Sequence, residues 1–211
     1  VAILTDFADL KAQIADYANR EDWSDALVTG FIRQAEQKFN AELRVDRMIQ
    51  TDQNNLLGRC AMLPEDWLEM DFVSIANSNA ASGWLPIRYK ARDEFFNTVD
   101  RLAYGYYTIE GREVIFGGAP DAINGNGYKI SYYGEVPVLS DTVSSFIYTK
   151  YPSLYLYGAL MFADLHAVGE EQNAANMKSL CDDIIAKLNN VHLRAKASGS
   201  RLKRSKIRSF G

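Results

Sequence analysis

Residues 151–177 read YPSLYLYGALMFADLHAVGEEQNAANM, and this stretch decides the fold. Leu154, Met161, Leu165 and Val168 recur at the spacing of one helical face. Pro152 falls in the first turn, where its missing N–H costs nothing. Gly169 ends this helix and Glu170-Glu171 begin another, with an apolar stripe of Met177, Leu180, Cys181, Ile184, Leu188 and Val191. A helical period returning this late in the chain has to be set against what precedes it.

Upstream the pattern is different. From about residue 47, short apolar runs are broken by turn residues: Asp52 to Asn55, Asn77 to Gly83, Glu110-Gly111 and Asn124 to Gly127. The runs Trp67–Ile75, Trp84–Tyr89, Tyr106–Ile109, Val114–Phe116 and Tyr128–Tyr133 read as strands, giving five or six in all. Glu110-Gly111 marks a hairpin, and Ala91–Asp100, with Phe95, Phe96 and Val99, reads as a short helix on the sheet.

The chain begins with two helices. Phe7, Leu10, Ile14 and Tyr17 form the face of the first, with Thr5 as its expected cap. The second starts after Ser24, with a stripe of Val28, Phe31, Ile32, Ala35, Phe39 and Leu43 and a Trp23–Val28 staple. Gly30 is expected to let a neighbouring helix come close. Two helices at each end of the chain are not stable alone, so packing them together is the economical solution. The expected fold is α+β: a four-helix bundle from the N- and C-terminal segments, an inserted β-rich domain and an extended C-terminal arm. The boundaries are 1–46 for the first half of the bundle, 47–144 for the β-rich insertion, 145–197 for the second half and 198–211 for the basic arm.

Charge separates that arm from the body. Arg201, Lys203, Arg204, Lys206 and Arg208 give residues 198–211 a charge of +5, while the preceding residues hold 18 bases against 27 acids, or −9. An acidic body is not what a DNA-reading domain presents. Ser198-Gly199-Ser200 has the composition of a hinge. Leu202, Ile207 and Phe210 among the cations suggest an arm that docks and becomes ordered on another subunit. No apolar run reaches membrane-spanning length. The opening Val-Ala-Ile-Leu-Thr-Asp has neither a basic stretch nor a long apolar core, so no secretory leader is expected.

The residues do not assemble an active site. The glycines of Gly117–Pro120 and Asn124–Gly127 lack the lysine and Ser/Thr of a phosphate loop. His166 and His192 have no partner histidine at helical spacing, and Cys60 and Cys181 share no metal-ligand spacing. Catalytic, cofactor and metal residues are therefore expected to be absent. Ten of the 12 tyrosines lie between Tyr104 and Tyr157. Tyrosine is enriched at interfaces. Tyr148, Tyr151, Tyr155 and Tyr157 span more than one helical face, so some of them are expected at a subunit contact.

Several segments, taken in order, resemble the head-to-tail adaptor (connector) proteins of tailed bacteriophages. They are FADLKAQIADYANRED, FIRQAEQKFNAELRV, LPEDWLEMDFVSI, YYTIEGREVIFGGAP, SYYGEVPVLSD leading into the LYLYGAL helix, and YPSLYLYGALMFADLHAVGEEQNAANM, and the resemblance extends over roughly residues 5–190. The resemblance implies a virion structural protein at the head–tail interface, assembled in the host cytoplasm. It implies a homo-oligomeric ring, usually of twelve copies, beneath the portal protein. Such a ring extends the channel for double-stranded DNA and offers a platform to a downstream tail or nozzle protein, the helical end facing the portal. It implies no catalytic residues, cofactor or membrane. Two other readings stay open on the residues alone: a nucleic-acid-binding module acting through the basic tail, and a small enzyme with an unrecognised site.

Overall fold

The computed structural model describes residues 6–20, 22–76, 83–97, 105–118, 126–167 and 170–208, with side chains described up to residue 196. Its elements are α1 (Phe7–Tyr17), α2 (Asp25–Glu42), a 3-10 turn (Asp46–Met48), β1 (Ile49–Asn55), β2 (Cys60–Met62), β3 (Trp67–Ala76), β4 (Trp84–Tyr89), α3 (Arg92–Asn97), β5 (Tyr106–Glu110), β6 (Glu113–Phe116), β7 (Gly127–Gly134), α4 (Phe146–Lys150), α5 (Pro152–His166) and α6 (Glu171–Arg208). The chain forms two compact units. Val1–Arg47 and Val136–Gly211 make one, and Met48–Glu135 the other.

The first unit is helical, but it is not a four-helix bundle. α5 is its axis, and α1, α2, α4 and α6 all pack on it. Leu154, Tyr155, Leu156, Gly158, Ala159, Leu160, Met161 and Ala163 are all buried, so α5 is apolar on almost every side. A helix buried all round belongs to the centre of an assembly and not to one corner of a bundle. The single face expected for it was too narrow, and Leu165, placed on that face, is exposed.

Local chemistry sets the helix starts. The Asp6 carboxylate accepts from the Asp9 N–H at 2.8 Å, so Asp6 and not Thr5 caps α1, and residue 5 lies outside the described residues. The Ser24 hydroxyl accepts from the Leu27 N–H at 3.3 Å and caps α2. The Trp23 ring sits 5.3 Å from Phe31 in an edge-to-face contact. Close helix approach occurs at Gly158, where an added Cβ would stand 3.0 Å from both Ala35 and Phe39. Gly30, where that approach was expected, has nothing within 4 Å of such a Cβ. Asn189 of α6 closes the end of α2: its amide oxygen accepts from the Arg44 N–H, and its amide nitrogen donates to the Glu42 carbonyl, both at 2.8 Å.

The expected extended arm is also corrected. α6 is continuous for 38 residues through Ser198-Gly199-Ser200. A helical glycine costs about 1 kcal/mol relative to alanine, but alanine, leucine, lysine and arginine around it are good helix formers. Cations in the last turns complement the helix dipole. The hinge composition is therefore outweighed by its neighbours.

The second unit is a seven-stranded sheet in the order β1-β7-β3-β4-β5-β6-β2. Its pairings are antiparallel except β4 with β5, which run parallel and are joined through α3. β5 and β6 form a hairpin closed at Glu110↔Glu113, with Gly111 at φ +60 in the turn. The core gathers Leu56, Leu63, Val73, Ile75, Ile87, Val114, Phe116, Tyr128 and Ile130. β1 overturns the expectation of a turn at Asp52–Asn55. Its sequence, IQTDQNN, has no apolar alternation, yet it pairs with β7 along its whole length, from Ile49↔Tyr133 to Asn55↔Gly127. It is an edge strand held by backbone hydrogen bonds and by tyrosine hydroxyls, such as Tyr128 donating to Asp52 at 2.9 Å.

Candidate assembly surface

The helical unit carries two features that its own fold does not use up. The first is a groove of about 210 Å³ between the end of α2, α4 and α6. Its apolar lining includes Phe146, Leu188, Val191 and the ring of Tyr151. Val191 and Tyr151 are exposed. Arg47 and Lys150 bring positive charge to it, both exposed and without an ion-pair partner among the described residues. Asp46 also lines it, with His192 Nδ1 at 2.6 Å from its carboxylate.

The groove exists because α6 presents a different face from the one its sequence suggested. Ala174, Cys181, Ile185 and His192 are buried, whereas Leu180 and Val191, assigned to the core stripe, are exposed. His192, which has no partner histidine at helical spacing, is 4% exposed. Its partner Asp46 lies far away in the chain, so no local spacing announces the pair.

The second feature is the loop between Val136 and Ser145. Glu36, only 4% exposed, accepts from the Leu139 N–H at 2.7 Å and pairs with Arg33 at 2.7 Å. Asn40 accepts from the Val136 N–H at 2.8 Å. The loop is folded on itself as well, since the Ser140 N–H donates to the Val143 carbonyl at 2.9 Å and the Ser140 hydroxyl accepts from the Val143 N–H at 3.1 Å. Val136 and Leu139 point into the core, while Val138 and Val143 are 55% and 42% exposed. Asp141 lies between them, exposed and in no ion pair among the described residues, though near enough to Lys11 to help raise its pKa behind the larger effect of Asp25.

The four tyrosines expected at a contact separate into two kinds. Tyr155 is fully buried; its hydroxyl sits 3.0 Å from that of Ser145 and 3.4 Å from Glu36, and burial pushes its phenol far above the ordinary range. Tyr148 is buried too, donating to the Asp6 carbonyl at 2.5 Å, and burial raises its pKa to about 12. These two make their contacts inside the chain. Tyr151 is exposed in the groove and Tyr157 is half-buried. Of the basic residues expected to bind a partner, Arg201, Lys203, Arg204, Lys206 and Arg208, with Leu202 and Ile207, lie on the last turns of α6. Their side chains, and the whole of Phe210, lie outside the described residues.

Among the described residues no three His, Cys, Asp or Glu side chains are placed to hold a metal ion, and no helix is long and apolar enough to cross a membrane. Burial raises the Cys181 thiol to about 11, which keeps it protonated and inert. Beside it, Lys38 is held between Asp182 and Glu42 at 2.7 Å from each. This ties α6 to α2 and, despite partial burial, raises the lysine pKa.

A family model described as SU10 adaptor protein matches residues 5–204. No curated protein matches the chain.

Proposed function

Since the chain belongs to the SU10 adaptor protein family, a family of phage head–tail adaptors, we propose that it forms a closed ring of about twelve copies beneath the portal. The ring extends the DNA channel and carries the tail or nozzle protein on its far side, with the helical unit toward the portal. The observation that carries this reading is the family match across nearly the whole chain.

Physical features support it. A closed ring needs two different complementary patches on each subunit, and the helical unit has a cationic apolar groove and an acidic loop with exposed valines. The −9 charge of residues 1–197, repeated around a ring, disfavours a grip on phosphates and lets DNA slide. The basic end of α6 is the portal-binding segment in this reading, its cations meeting acidic groups and Leu202, Ile207 and Phe210 filling shallow pockets.

The test is truncation after Ala197. The shortened chain should fold with an unchanged melting profile and fail to attach to portal-bearing heads, while the full chain attaches as a ring measurable by particle mass. Equal attachment of both at moderate salt removes the role of the segment. A full chain that neither attaches nor forms a ring removes the function itself.

A further inference from the structure

We propose that the groove lined by Phe146, Tyr151, Leu188 and Val191 is the socket of the contact between copies, and that its occupant is the Val136–Ser144 loop of a second copy. The inference rests on the ring reading above and specifies which surfaces close the ring.

Charge is the first argument. Arg47 and Lys150 stand exposed at the groove, whose one carboxylate, Asp46, faces His192. Asp141 stands exposed on the loop, near enough to Lys11 to add to the rise in its pKa that Asp25 dominates, but in no ion pair among the described residues. The groove keeps an excess of positive charge, and the loop offers an acid that no ion pair occupies. The basic end of α6 suits the groove less well, because it would set lysines and arginines against Arg47 and Lys150. Shape and hydrophobicity are the second argument. Val138 and Val143 are compact apolar side chains held out on either side of Asp141, and the groove offers aromatic and aliphatic surface. Burying such groups is worth about 1.5–3 kcal/mol for each fully covered side chain.

Preorganisation is the third. The loop is fastened at Val136 by Asn40 and at Leu139 by Glu36, and Ser140 and Val143 close its turn. Its ordering cost is met on folding, so little is lost on docking. The same fastening holds the loop to α2, so it does not swing into the groove of its own chain. One subunit thus carries a plug and a different socket, the arrangement that propagates head to tail and closes as a ring.

A charge swap in the full chain tests this. Lys150→Glu and Asp141→Lys should each raise the concentration needed for ring assembly by about ten-fold or more, and the double variant should recover most of the loss. Both positions are exposed, so the circular dichroism and melting of the single variants should match the unaltered chain. Single variants that assemble normally, or a double variant whose losses simply add, overturn the proposal while leaving the ring standing. An unaltered chain that stays monomeric, alone and with portal-bearing heads, overturns both.

Discussion

Glu36 shows how much one side chain can fix. A carboxylate in the middle of α2 would ordinarily face water, and the surrounding RQAEQK gives no sign that it does otherwise. In the fold it is buried, held by Arg33, the Leu139 N–H and the Tyr155 hydroxyl. Removing one member of a buried charged network leaves the others unsatisfied. Glu36→Ala should therefore cost about 3–5 kcal/mol in urea unfolding, and Glu36→Gln, which keeps an acceptor for the Leu139 N–H, clearly less. Equal effects would show that the charge opposite Arg33 is what matters. Ser24 is the opposite case, because its cap could be read directly: the bond closes within three residues. Long-range polar partners such as Glu36 with Leu139, or His192 with Asp46, leave no local mark. That is why the residues that shape the candidate surface were not legible in the sequence.

At the scale of elements, legibility follows how a segment is buried. β3, β4, β5, β6 and β7 are apolar strands between turn residues and were visible within a residue or two. β1 was not, because its stability comes from backbone pairing and not from apolar alternation. α5 and α6 were visible as helices, but their faces were misplaced, since α5 has core contacts on nearly all sides and α6 leaves apolar residues exposed. The α2–α5 contact depends on the missing side chain of Gly158. Glycine to alanine in a helix normally stabilises by up to about 1 kcal/mol. Here the new methyl meets Ala35 and Phe39 at 3.0 Å, and overpacking of this kind costs about 1–3 kcal/mol. Gly158→Ala should lower the melting temperature, whereas Gly30→Ala, with open space around it, should not.

For the whole molecule, the division into two units has a direct consequence. The β unit has a core of its own, and its terminal strands are neighbours, with Ile49 opposite Tyr133. Residues 48–135 expressed alone should therefore fold and unfold in a single cooperative transition with urea; a chain without a transition would show that the sheet needs the helices. The helical unit is sealed instead by contacts between distant parts of the chain, including Asn189 on the end of α2. From it runs α6, unbroken to Arg208. Because that segment is a rod and not a tether, its length carries angular phase. Deleting one residue at Ser198-Gly199-Ser200 would rotate everything beyond by about 100° and draw it in by about 1.5 Å, while deleting about seven consecutive residues around it would restore nearly the original bearing about two turns closer. Whatever the basic end meets, it is met at a fixed azimuth.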